Sequence, residues 1–178
     1  NVLPNPAIFD TKKLLWMNGQ YIRDTKDEIF KELFINSIQE SIARDLFDEE
    51  LNRIEKIVKS VQERLETIND ISEQVMFLLD EPFDVNSDDW KNVNSEDGQQ
   101  YMKNIRNKFI SASNFELNDI EEIMREELKV LDIKPKIGFQ ITRVAVTGTK
   151  ISPPLFESIY ALGKETVIAR LAESIVDL

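Results

Sequence analysis

Neither cysteine nor histidine occurs anywhere in this 178-residue chain. The first absence removes disulfides, thiolate-held metals and thiol nucleophiles. The second removes the commonest general base and the commonest neutral metal ligand, and leaves any serine nucleophile without its usual partner. Glycine is also scarce, with 5 residues, and neither a G-x-G-x-x-G run nor a Walker loop is present. No apolar run approaches the roughly 20 residues that span a bilayer. The opening Asn1-Val2-Leu3-Pro4-Asn5-Pro6 has neither the basic head nor the apolar stretch of a signal peptide, and the missing initiator Met suggests a start within a longer protein. These absences fit a cytoplasmic chain with no membrane partner, and they point to no metal site and no catalytic residue here.

What the chain has in excess is negative charge. The net charge is −11, with 33 Asp and Glu against 22 Lys and Arg. Taken alone, that balance argues against nucleic acid, because phosphate contacts need cations. The acid is unevenly spread, however. Residues 1–133 hold 29 of the acidic residues, and Lys134–Ser152 holds four cations with no acid at all. A local cationic strip on an acidic body can still meet a polyanion, since the field of distant charges decays over about 8 Å at physiological salt.

Most of the sequence has helical periodicity. Asp10 or Thr11 caps a short predicted helix to Met17, with Gly19 as its left-handed stop. Thr25-x-x-Glu28 has the form of a capping box, and Phe30, Leu33, Phe34, Ile38, Ile42 and Leu46 follow on one helical face to about Phe47. Leu51, Ile54, Val58, Val61 and Leu65 predict a second such helix, and Val75, Phe77, Leu78 and Leu79 a shorter third. Residues 81–97 are polar, contain Pro82, Asn86, Asn92 and Asn94, and are expected to form a linker or long loop. Periodicity resumes with Tyr101, Ile105 and Phe109, then with Leu117, Ile120, Met124, Leu128 and Leu131. Ile137 to Val146 suits a strand or a helix equally well. Ser152-Pro153 resembles an N-cap followed by a first-turn proline, with that helix ending at Gly163 and a last one running from Lys164 to about Asp177. The acidic pairs Glu49-Glu50, Glu121-Glu122 and Glu126-Glu127 are expected on solvated helix faces.

Two stretches carry more than periodicity. Asn5-Pro6-Ala7-Ile8-Phe9-Asp10, continued by Lys13-Leu14, Trp16, Asn18-Gly19 and Tyr21-Ile22, resembles a signature of glutamyl-tRNA synthetases that lies in the stem-contact domain. Arg143-Val144-Ala145-Val146-Thr147-Gly148, Ser152-Pro153-Pro154-Leu155-Phe156 and Leu162-Gly163-Lys164-Glu165 resemble that family's C-terminal signature. The resemblance implies an all-α chain. Residues 1–23 would end the stem-contact domain, 24–80 would form a first helical anticodon-binding domain, and 98–178 a second, beyond the linker at 81–97. It also resolves 136–146 as helix.

Function follows from the same resemblance. The parent activity is ATP-dependent joining of glutamate to its tRNA. The H-I-G-H and K-M-S-K-S motifs for ATP are absent from this piece, so ATP with Mg belongs to a catalytic domain elsewhere and no cofactor is expected here. Arg143 matches the arginine that reads the first anticodon base, a task suited to a planar fork of donors. Ser152, Pro153 and Leu155 match a loop and helix start that touch the anticodon, and Lys150 is a candidate phosphate contact. The third-base reader falls at Glu55 or Lys56 on the helix placed at 49–67. Neither is the arginine that accompanies charging of tRNA(Glu) alone, so tRNA(Gln) is a second candidate partner. The chain is expected to be monomeric. The competing reading, a helical scaffold that binds another protein through an acidic groove, is what composition alone would favour.

Overall fold

The computed structural model describes residues 10–80 and 84–175, and every regular element among them is helical. In chain order these are α1 (Thr11–Asp24), α2 (Asp27–Ile42), α3 (Asp48–Gln62), the short α4 (Ile71–Val75) between two 3-10 turns, α5 (Ser87–Val93), α6 (Glu96–Ser111), α7 (Leu117–Val130), α8 (Pro135–Thr147), α9 (Leu155–Leu162) and α10 (Lys164–Ser174). None is long and apolar enough to cross a membrane.

The apolar stripes seen in the sequence become one continuous core. Phe30, Phe34 and Ile38 of α2 meet Ile54, Ile57 and Val61 of α3. Tyr101, Met102, Ile105 and Phe109 of α6 are buried among α7, α8 and α10. The two halves join where α3 packs on α9. That packing sets α3 against α9, with Lys56 over the Tyr160 ring. Gly138 permits the tightest crossing: a Cβ there would lie 2.6 Å from Leu128 Cδ2 and 2.9 Å from Tyr101 Cε1.

Several local expectations change. Gly19 does not stop α1. It lies buried inside the helix, where a Cβ would sit 3.3 Å from the Leu65 carbonyl oxygen, so its role is close approach to the end of α3. Asn18, Ile22 and Arg23 serve the same junction. The Asn18 amide donates to the Glu66 carbonyl, and the Gln62 amide donates to the Ile22 carbonyl at 3.0 Å. Thr25 is not the cap of α2: its hydroxyl turns back to the Tyr21 carbonyl at 2.8 Å, and Lys26 is the N-cap residue. Residues 84–97 are not a plain loop, since they contain α5 and the start of α6. Asn86 makes this possible by accepting from the backbone N–H groups of Asp88 and Asp89. Residues 1–9 and 81–83, including Asn5–Phe9 of the first signature, lie outside the described residues.

Two of the acidic pairs are also not solvated throughout. Glu50 is 0% exposed and Glu127 is 2% exposed. Both Glu50 oxygens accept from the Arg44 guanidinium, at 2.8 and 2.9 Å, and also take the N–H groups of Phe47 and Asp80. Those hydrogen bonds, led by Arg44 and opposed by burial, hold its carboxyl at about 2. Burial pushes the Glu127 carboxyl up, but Lys108 at 2.7 Å and the Asn104 amide at 2.7 Å outweigh it and leave it low.

Candidate nucleic-acid interface

The site is built by the C-terminal end of α8, the loop 149–154 and the end of α3. Gly148 closes α8 with φ +82°, a left-handed conformation that glycine takes without strain, and its N–H reaches back to the Val144 carbonyl at 2.9 Å. The chain then turns through Thr149-Lys150-Ile151-Ser152-Pro153-Pro154. Hydrogen bonds hold this loop: Thr147 Oγ1 donates to the Arg143 and Thr149 carbonyls, and Ser158 Oγ donates to the Pro154 carbonyl at 2.9 Å. Behind the loop, Phe139 and Phe156 meet edge to face at 5.4 Å and fix the angle between α8 and α9. Arg125 lies over both rings.

Arg143 stands at the centre, half-buried. Its Nη1 donates to Ser152 Oγ, to the Ser152 carbonyl at 3.3 Å and to the Pro153 carbonyl at 2.6 Å. Its Nε and Nη2 have no partner among the described residues, and neither is a buried, unsatisfied atom. One edge of the guanidinium is therefore locked into the loop and the other faces outward. A fork held in this way pairs with two acceptors on a base edge at little further cost in side-chain entropy.

The sequence pattern missed Arg64. It is exposed in the first turn after α3, where the helix dipole favours a cation. Its side chain forms no hydrogen bond or ion pair among the described residues, and its charge reaches Arg143. Burial lowers the Arg143 pKa, the field of Arg64 lowers it further, and Glu157 acts in the opposite sense. The family resemblance points to residues 49–67 for the third-base reader, at Glu55 or Lys56. That window contains Arg53 and Arg64, and Arg53 is occupied by the Leu78 carbonyl and Asp80.

Of the other predicted positions, Ser152 and Pro153 meet Arg143 and the rest lie apart from it. Ser152 does not cap a helix; Pro154 precedes α9 and the Ser152 hydroxyl belongs to Arg143. Pro153 is buried and Leu155 is 6% exposed, so both form the floor of the loop, while Ile151 projects at 82% exposure. Lys150 is paired with Asp89 at 3.4 Å. Glu55 is tied to Lys31, and Lys56 lies over the Tyr160 ring at 5.1 Å. Neither of them is bonded to Arg143, whose partners are the loop oxygens. The described residues contain no cluster of acidic side chains able to hold a metal ion.

Comparison with known proteins places the chain among tRNA ligases and their anticodon binding domains. The family model described as an anticodon binding domain matches residues 29–175. A glutamate–tRNA ligase of Symbiobacterium thermophilum is 31% identical across 93% of this chain and 35% of its own length. One from Cutibacterium acnes is 31% identical across 96% of this chain and 36% of its own length. The chain thus spans about a third of the length of these relatives. A crystal structure of a glutamate tRNA ligase from Elizabethkingia meningosepticum in complex with its amino acid superposes with a TM-score of 0.72 at 21% identity, over 94% of this chain and 32% of that one. The glutamate-tRNA synthetase of Elizabethkingia anophelis superposes equally well at 20% identity. At these identities the two structures establish the all-α fold.

Proposed function

The chain belongs to the anticodon binding domain family, and from that premise we propose that it is the part of a glutamate–tRNA ligase that reads the anticodon of tRNA(Glu). The whole protein would attach glutamate to that tRNA with ATP and Mg, in the cytoplasm, through a catalytic domain outside this chain. Residues up to 23 would complete its stem-contact domain. Residues 24–80 and 98–178 would be its two helical anticodon-binding units, and the chain would act as a monomer.

The observation that carries this reading is the Arg143 fork, fixed to the loop through Nη1 with Nε and Nη2 left unbonded among the described residues. Arg143 presents a bidentate donor edge to the first anticodon base. Arg64 is the better candidate for the third-base reader than Glu55 or Lys56, because both of those are engaged elsewhere. An arginine in that role favours a ligase that charges tRNA(Glu) and rejects tRNA(Gln).

Equilibrium binding of this chain to a tRNA(Glu) transcript tests the assignment, with Arg143→Ala, Arg64→Ala and transcripts changed at the first or third anticodon base. Each substitution is expected to cost roughly 1–3 kcal/mol and to make binding indifferent to its own base. Tight binding of a tRNA(Gln) transcript would point instead to a relaxed ligase. If Arg143→Ala binds like the unaltered chain and still senses the first base, the reading is wrong.

A further inference from the structure

The loop that carries Ser152 is also anchored by α5. The Lys150 N–H donates to Asp89 Oδ2 at 2.8 Å, and Lys150 Nζ lies 3.4 Å from Asp89 Oδ1. One turn away, the Asn86 N–H donates to the Gly148 carbonyl at 2.9 Å. Asp89 is only partly exposed, and its own backbone N–H is held by the Asn86 side chain. The loop is thereby fixed at Gly148 and Lys150 by α5, and at Ser152 and Pro153 by Arg143. Ile151, between these two anchors, projects to solvent.

We propose that Asp89 is a positioning residue for the recognition loop, acting on bound RNA only through Lys150. It has two effects. Its hydrogen bond to the Lys150 N–H sets the path of the backbone, so Ser152 and the Arg143 fork are ordered before RNA arrives and binding does not have to order them. Its charge also neutralises Lys150, the only loop cation, so the loop attracts phosphate of any sequence less strongly and leaves discrimination to the bases. The inference rests on the anticodon reading above.

The two effects separate by substitution. Asp89→Asn keeps an oxygen that can accept the Lys150 N–H but removes the charge; Asp89→Ala removes both. Binding of the 178-residue chain to tRNA(Glu) and to the first-base-altered transcript is measured over a range of salt, with amide hydrogen exchange on the free chain. Asp89→Ala should reduce the ratio of the two affinities roughly three- to tenfold, and should speed exchange at Lys150 while the interior amides of α8 and α9 keep their protection. Asp89→Asn should restore the ratio, while binding to both transcripts strengthens and the salt slope steepens by about 0.7–1. An unchanged ratio in Asp89→Ala alongside a clear loss in Arg143→Ala would overturn the positioning role and leave the anticodon reading intact. Failure of Asn to restore the ratio, with Lys150 exchange also unchanged in Asp89→Ala, would overturn it as well. Indifference to Arg143→Ala would remove both.

Discussion

At the turn between α2 and α3, Arg44 gives both terminal nitrogens to a fully buried Glu50; on α8, Arg143 gives one nitrogen to loop oxygens and keeps the rest of its fork free. The contrast extends to the surroundings. Around Glu50, the N–H groups of Phe47 and Asp80 complete the carboxylate's partners, and Arg53 is likewise committed to Leu78 and Asp80. Around Arg143, the leading charge is another cation, Arg64. A guanidinium whose donors all end inside the chain organises the fold. One with an unused edge keeps donors available to a ligand. Arg170 is buried as well: it donates to the Val146 carbonyl at 2.6 Å, and its pKa is lowered to about 10 by burial first and by the field of Arg53 second.

The sharpest way to break this comparison is Glu50→Ala. It strands the Arg44 fork and the Asp80 N–H at once, and removing one member of a buried pair typically costs about 3–5 kcal/mol. Urea unfolding should show that loss. RNA selectivity per folded molecule should remain, because Glu50 touches no part of the α8–α9 loop. Acid does the same reversibly. The Glu50 carboxyl is held at about 2 in the fold against an ordinary 4.5. A lowered folded value means that the stabilisation is present above about 4.5 and is lost as pH falls toward 2. Its size is about 3 kcal/mol. Stability curves from pH 6 to 2 should show this decline, and Glu50→Gln should flatten it.

Much of the fold was legible in the sequence, and the part that was not has a physical pattern. Helix faces were visible because a stripe such as Phe30, Phe34 and Ile38 is set by local geometry alone. Roles that depend on distant partners were hidden. Glu50 resembled a solvated acid because its burial is balanced by a turn that folds Arg44 back onto it and by the N–H of Asp80, thirty residues away. Gly19 resembled a stop because the carbonyl it accommodates belongs to Leu65. Helix α5 was obscured by polar residues whose work is capping and latching rather than packing. In the candidate site, the resemblance led to Arg143 and its loop, but not to Asp89 or to Arg64, since Asp89 meets the loop from α5, 61 residues before Lys150 in the chain.

Arg143→Lys tests the other side of the comparison. Lysine keeps the charge and loses the planar fork. Binding to phosphate should persist, while discrimination at the first anticodon base should fall by roughly 1–3 kcal/mol. The fold should lose less than it does in Glu50→Ala, since Arg143 is half-buried where Glu50 is fully buried, and it has no paired carboxylate to strand. Competition between cognate and altered transcripts separates the two effects: a uniform loss for every RNA would mean that Arg143 supplies charge alone.

The smallest expected change in the fold comes from Ile151. At 82% exposure the side chain buries almost nothing against the protein, so Ile151→Ala should move stability by no more than about 0.5 kcal/mol. If the pinned loop exists to present this residue to splayed bases, the same substitution should weaken tRNA binding measurably, by about 1 kcal/mol for the apolar surface that no longer packs on a base. The effect should be the same at low and moderate salt, because no charge is removed. A binding loss without a stability loss would mark the α8–α9 loop as a surface shaped for its ligand. Equal indifference in both would confine recognition to the arginines and reduce the loop to their support.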